Sequence, residues 1–230
     1  MTERHRSTAV MARRRDAKGL QYFPTPPWAV RALFAEKIDA TRYALRTCWE
    51  PACGGGHLVA GLQDVFPEIY ATDIFDWGFG DRRDLDFTFA DDLACPFVPD
   101  WIVTNPPFTL GEAFLDRALQ LARVGVALLL RIQWLEGGDR YRTIFGTDRA
   151  PTLVCPFADR VPMIEEAWDP EAKSATAYAW FVWIRGRFGE MRINHIRPGA
   201  ERRYTRLGDE RLMMRGEAER RRRERQAANG

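Results

Sequence analysis

Asn105-Pro106-Pro107-Phe108 follows directly on the short apolar run Trp101-Ile102-Val103-Thr104. The pattern reads as a strand that ends in a polar amide, two prolines and a flat ring. Open α/β sheets bind ligands in the crevice at the carboxyl ends of their strands. Each proline fixes φ and lacks a backbone N–H, so the turn is stiff and its carbonyls are free to accept hydrogen bonds. A rigid cluster of acceptors beside an aromatic face suits an amino group carried on a planar ring. A plain strand-to-loop turn, which Pro-Pro also serves, accounts equally well for the tetrapeptide taken alone.

A second group lies upstream. Glu50-Pro51-Ala52-Cys53-Gly54-Gly55-Gly56-His57 follows the run Tyr43–Trp49, and the next stretch has apolar residues at Leu58, Val59, Leu62, Val65 and Phe66. That spacing predicts a helix. Strand, glycine turn and helix form a nucleotide-binding arrangement, because glycine lets backbone approach a ligand closely. No Gly-Lys-Ser/Thr follows, which argues against a P-loop. A carboxylate at position 50 instead suits a ligand carrying a cationic or amino group. Glu68-Ile69-Tyr70-Ala71-Thr72-Asp73 then predicts a short strand ending in an acid. Such an acid can hydrogen-bond ribose hydroxyls, or can simply cap a loop.

The ordered set Phe23-Pro24-Thr25-Pro26, Glu50-Pro-Ala-Cys-Gly-Gly-Gly, Asp73 and Asn105-Pro-Pro-Phe resembles the S-adenosylmethionine-dependent methyltransferases. Within them it is most similar to the DNA adenine-N6 enzymes, and to a small member of the phage or prophage kind. The likeness covers residues 21 to 110. It implies a Rossmann-like class I methyltransferase fold, a mostly parallel central sheet flanked by helices, with S-adenosylmethionine as cofactor. Related enzymes carry similar tetrapeptides and methylate RNA bases or a glutamine amide, so RNA adenine, cytosine N4 and a protein amide stay open as substrates. A non-catalytic nucleic-acid-binding subunit that keeps the fold stays open too.

Residue by residue, the resemblance implies that Gly54 and Gly56 shape the loop under the methionine part of the cofactor, with Glu50 at its start. Asp73 would bind the ribose, Ile74 would pack on the cofactor adenine, and Thr25 would close over the methionine moiety. The family's third acidic position matches Asp86-Phe87, with Asp91-Asp92 as a rival. Asn105, Pro106, Pro107 and Phe108 would be catalytic. Adenine's exocyclic nitrogen is a poor nucleophile because its lone pair is delocalised. If Asn105 and a proline-region carbonyl accept its two N–H groups, that lone pair is freed toward the methyl donor. Phe108 stacking on the base would fix the line of approach. A base in duplex DNA would first have to be flipped out of the stack.

The elements that must position these residues follow from periodicity. Trp28–Lys37 predicts a helix, with Pro26-Pro27 suited to its first turn. Residues 113–122 predict an amphipathic helix and residues 124–130 a buried strand. Residues 176–184, with Tyr178, Trp180, Phe181 and Trp183, read as a strand whose rings belong to the core. The loop 136–142, with Arg140 and Arg142, is a candidate substrate contact or an ordinary surface turn.

The composition narrows the alternatives. The chain has three histidines, and Cys48, Cys53, Cys95 and Cys155 form no Cys-x-x-Cys, so no metal site is expected. No apolar run reaches the ~20 residues of a membrane span, and scattered thiols without a signal peptide point to the cytoplasm. The net charge is only +2 over 230 residues, but it is unevenly spread. Residues 1–20 carry six basic and two acidic groups, and residues 185–230 carry fourteen arginines and seven acids. The expected organisation is a basic, mobile arm over 1–19, one methyltransferase domain over 20–200, and an Arg-rich tail over 201–230, helical or disordered. Basic ends on an acidic body suit contact with DNA, or RNA, phosphates. They also suit plain solvation.

Overall fold

The computed structural model describes residues 20–172, 174, 176–187 and 189–228, so the arm expected over 1–19 lies outside the described residues. Among the described residues there are seven strands: β1 (Thr47–Glu50), β2 (Glu68–Ala71), β3 (Trp101–Thr104), β4 (Gly125–Arg131), β5 (Leu153–Pro156), β6 (Tyr178–Ile184) and β7 (Arg192–Ile193). They form one sheet in the order β2-β1-β3-β4-β6-β5-β7. β1, β2, β3 and β4 pair in parallel, while β6 runs antiparallel to both β4 and β5. After β1 the chain passes to β2 on one side, then returns to β3 on the other. The crevice at the carboxyl ends of β1 and β3 is therefore a topological switch point, where open α/β sheets take ligands.

The inner strands β3, β4 and β6 are buried on both faces almost throughout, so they read as continuous apolar runs. Alternation divides their side chains between two core layers. Trp101, Val103, Ala127, Leu129, Trp180 and Val182 pack on one face. Ile102, Val126, Leu128, Leu130, Phe181 and Trp183 pack on the other. Two of the buried indoles are held at their polar edge: Trp49 Nε1 donates to Thr72 Oγ1 (2.9 Å) and Trp180 Nε1 to the Ala29 carbonyl (3.0 Å).

The principal helices are α1 (Pro27–Lys37), α2 (His57–Leu62), α3 (Gly111–Leu121), α4 (Ala200–Tyr204) and α5 (Glu217–Ala228). α1 packs between the sheet, α2 and α4, which explains why residues 27–34 are all buried. The apolar pattern after Gly56 runs to Phe66, but α2 stops at Leu62. Pro67 disfavours helical geometry at Phe66, and the residues between turn back toward β2.

The Arg-rich segment from residue 201 does not leave the body as a free tail. Arg31 on α1 is 7% exposed and uses all its donors at once. Its Nε bonds Asp64 (2.5 Å), its terminal nitrogens grip Asp209 in bidentate fashion (2.6 and 2.9 Å), and both also reach the Tyr204 and Ala60 carbonyls. Farther on, Met214 N donates to the Trp168 carbonyl (2.8 Å) and Ala218 N to the buried Asp169 carboxylate (3.0 Å). These bonds seat the first turn of α5. No helix among the described residues is long and apolar enough to cross a membrane.

Candidate active site

A cavity of about 290 Å³ opens at the switch point. Of the residues singled out from sequence, Thr25, Asp73, Ile74, Asp86, Phe87, Asn105 and Pro107 line it. Glu50, Gly54, Gly56, Pro106 and Phe108 stand behind or beside it rather than on its wall.

Asn105 ends β3. Its Nδ2 donates to the Phe23 carbonyl (3.0 Å) and lies 4.0 Å from Met163 Sδ. A carbonyl can only accept, so this bond fixes which end of the amide is nitrogen. The other end, Oδ1, is buried and has no hydrogen-bond partner. An unpaired acceptor in that setting costs free energy comparable to a lost hydrogen bond. The Pro107 carbonyl accepts from Leu110 N (2.9 Å), which leaves the Pro106 carbonyl as the acceptor between the two prolines. Phe108 is held by its own N–H, which donates to Gln21 Oε1 (2.8 Å), and its ring packs 4.9 Å from Phe23. The expected free stacking face is covered: the Arg131 guanidinium lies 4.0 Å above the ring centroid.

The glycine turn departs from the expected open cradle. Gly54 and Gly56 have φ of +51° and +83°, which L-residues with a Cβ rarely adopt. A Cβ on Gly54 would sit 2.2 Å from the Tyr22 ring, and one on Gly56 2.7 Å from Phe79. The space above the turn is thus filled by protein. Gly55 N donates to Tyr22 Oη (2.9 Å), which lies 3.3 Å from His57 Nδ1. His57 Nε2 is 3.1 Å from the Leu212 carbonyl. Because that carbonyl only accepts, Nε2 carries the proton and Nδ1 accepts from Tyr22. The relay ties the N-terminal segment, glycine turn, α2 and C-terminal segment together. Burial holds the His57 imidazole below its ordinary pKa, against the pull of the Leu212 carbonyl.

Three carboxylates surround the turn. Asp73 Oδ2 accepts from Gly54 N (2.9 Å) and Oδ1 from Phe75 N (3.0 Å). An ionised carboxylate has about four acceptor sites, so capacity remains for hydroxyls in the cavity. Burial raises its pKa, against those backbone donors. Glu50 is fully buried at the end of β1; Oε1 takes Ala52 N (3.0 Å) and Oε2 has no partner. Burial pushes its carboxyl up to about 8, the nearby Asp73 charge adds to the rise, and Thr104 and Ala52 N–H oppose it. Asp86 accepts from Thr88 N and Oγ1 (2.9 and 2.6 Å) and lines the cavity. Its rivals Asp91 and Asp92 are exposed and off the wall, Asp92 paired with Arg117.

Sequence reading missed Tyr22, Trp77, Leu110 and Phe114, which complete the wall, and Arg131. Arg140 and Arg142, candidates for substrate contact, fold back instead. Arg140 bonds the Trp134 and Glu136 carbonyls, and Arg142 pairs with Asp139.

The fold matches solved structures. The methyltransferase subunit of a type I restriction-modification system from Streptococcus thermophilus superposes with a TM-score of 0.55 at 11% identity, over 74% of this chain and 46% of that subunit. The fold is that of a methyltransferase. The chain therefore spans about half the length of that subunit. Weaker likenesses join a candidate hemolysin from Lactococcus lactis (TM-score 0.48, 12% identity, 76% of this chain and 97% of that one) and a candidate RNA methyltransferase from Pyrococcus horikoshii (0.47, 11%, 68% and 83%). No protein-family model and no curated protein sequence matches the chain.

Proposed function

We propose that the protein transfers a methyl group from S-adenosylmethionine to the N6 amino group of adenine in DNA. The observation that carries the reading is the Asn105 amide: its nitrogen is tethered to Phe23, and its buried oxygen is left unpaired at the cavity wall. An amino group on a planar ring supplies the missing donor.

The cavity suits the cofactor. Asp73 and Asp86 offer acceptors for hydroxyl and amino groups, and Leu85, Phe87, Leu110 and Phe114 form an apolar slot for a flat ring. The unpartnered Thr25 hydroxyl faces the same space. At the glycine turn, Tyr22 rather than bare backbone is the surface a ligand meets. When bound, S-adenosylmethionine supplies an electrophilic methyl group on a cationic sulfur.

Asn105 Oδ1 and a carbonyl of the proline turn accept the two N–H bonds of the target nitrogen, drawing it toward tetrahedral shape and turning its lone pair outward. Both acceptors then face the positive charge that develops on nitrogen. They are fixed before the reaction, so no reorganisation is needed as the charge forms. Phe108, braced by Phe23 and Gln21, and the rigid prolines supply positioning.

Isotope-labelled S-adenosylmethionine incubated with duplex DNA, single-stranded DNA and total RNA, followed by nucleoside mass spectrometry, tests the reading. Labelled N6-methyladenine in DNA, missing with Asn105→Ala, is the expected result. Label in RNA alone would replace the substrate. Cofactor binding with no transfer to any nucleic acid would overturn the reading in favour of a non-catalytic fold or a protein amide substrate.

A further inference from the structure

We infer that α5 forms one wall of a phosphate-binding groove that leads the target strand to Asn105. The inference rests on the proposed nucleic-acid substrate. A groove of about 790 Å³ lies beside the cavity, and Phe23 lines both. Met163, another lining residue of the groove, is the sulfur neighbour of Asn105 Nδ2. The groove thus ends at the residue that would hold the reacting nitrogen.

Its walls bring together arginines from distant parts of the chain. Arg131 comes from the end of β4, and Arg221, Arg222 and Arg225 from one face of α5 at helical spacing. The arginines of α5 divide into two sets. Arg220 and Arg223 pair with Glu217, Glu224 and Glu219. Arg221 is bound to Glu217 and the Glu165 carbonyl, an anchor that orients the helix (2.7 and 2.8 Å). Arg222 and Arg225 are exposed, line the groove and have no carboxylate partner among the described residues.

A helix that neutralises its other arginines internally and turns two unneutralised ones toward a groove offers charge to an anion. Glu165 is the one acid among the described residues of the lining; its carboxylate disfavours an anion near its own side of the groove and favours one on the α5 side. Arg131, lying on the Phe108 ring, stands where groove and tetrapeptide meet. Guanidinium groups bind phosphate in bidentate fashion and also stack on bases. The ligand chemistry is a phosphodiester strand, with phosphates flanking the target nucleotide at Arg222 and Arg225.

The test uses the full chain, with short fluorescein-labelled DNA and RNA oligonucleotides of equal sequence as probes. Fluorescence anisotropy is read over a salt series for the unmodified protein, R222A/R225A, R222K/R225K and Asn105→Ala. The slope of log affinity against log salt should flatten by about 1.4 in R222A/R225A, since each single-strand phosphate contact contributes ~0.7. It should be largely restored in the lysine pair and unchanged in Asn105→Ala. Calorimetric binding of S-adenosylmethionine that matches the unmodified protein shows the double variant is folded. The stronger of the two probes identifies the sugar. An unchanged slope in R222A/R225A, or no binding of either probe by the unmodified protein, overturns the inference. Methyl transfer with an unchanged slope sinks the groove alone. A flattened slope with no transfer sinks the adenine reading alone.

Discussion

At the scale of single residues, the proposed reaction turns on acceptors left unpaired by the fold. Removing Asn105 Oδ1 removes an oriented acceptor, and loss of one such contact costs ~2.7–4 kcal/mol in barrier. Asn105→Ala should therefore lower kcat by about 10²–10³-fold and leave S-adenosylmethionine affinity nearly intact, measured by single-turnover kinetics beside calorimetry. Glu50 sets a pH dependence. Burial pushes its carboxyl up to about 8, and a cationic ligand favours the ionised form. Affinity for S-adenosylmethionine should then rise as pH climbs toward 8 and level off above it, with proton release on binding at neutral pH. Calorimetry in buffers of different ionisation enthalpy reads that release, and Glu50→Gln should abolish it. A flat pH profile in the unmodified protein would show that the buried carboxyl only braces Ala52 N–H. Much of this was legible in sequence. Asn105 and Asp73 end apolar strands, and such positions are read from local pattern alone. The partners that make them work were not. Phe23, which ties Asn105, is 82 positions away, and nothing in its neighbourhood announces the bond.

At the scale of elements, the glycine turn and the α1–α2–α4 junction carry the most stringent constraints. Gly54→Ala adds a Cβ at positive φ, where a left-handed backbone costs ~1–2 kcal/mol, and drives it into the Tyr22 ring. Lower thermal stability and weakened cofactor binding should appear together, by thermal unfolding and calorimetry. Loss of neither would mean that Tyr22 swings away at little cost. Asp209→Ala should be more severe. It leaves the buried Arg31 guanidinium with only Asp64 as a carboxylate partner, and breaking a buried pair costs ~3–5 kcal/mol. Urea denaturation at constant m-value measures it. β4 and β6 were readable as strands because their composition is apolar and β-branched or aromatic. Their antiparallel pairing was not readable, since it is set by the crossover that carries β5 to the far side of β6.

Across the whole molecule, the two ends of the described chain meet at one corner. The His57 relay joins the segment at Tyr22 to the carbonyl of Leu212, and it requires a neutral imidazole. Burial lowers its pKa from the ordinary 6.5, so the folded state disfavours protonation. The contribution to stability is complete above about 6.5 and is lost as pH falls below that value toward the folded pKa. The thermal midpoint of the unmodified protein should drop over that interval more steeply than that of His57→Gln. Truncation gives a second test at this scale. A chain ending at Gly216 keeps Asp209 and Leu212 and removes α5, so it should stay folded, bind S-adenosylmethionine and lose oligonucleotide affinity. A chain ending at 207 also strips Asp209 from Arg31 and Leu212 from His57 and should unfold at markedly lower temperature. Composition alone marked the arginine run as a solvated or phosphate-seeking tail. It carried no sign of the docking, because Asp169 and Glu165 lie some fifty residues upstream of the residues they hold.

The Arg31 clasp also sets an order in time. Its partners Tyr204 and Asp209 lie 173 and 178 positions farther along, so a chain growing from its N-terminus cannot complete the clasp before Asp209 has been made. Until then Arg31 has only Asp64 and the Ala60 carbonyl of its partners, and its bidentate grip on Asp209 is missing. The sheet and its ligand crevice can condense first, from contacts nearer in sequence. The arginine-lined wall thus takes shape after the crevice that it flanks.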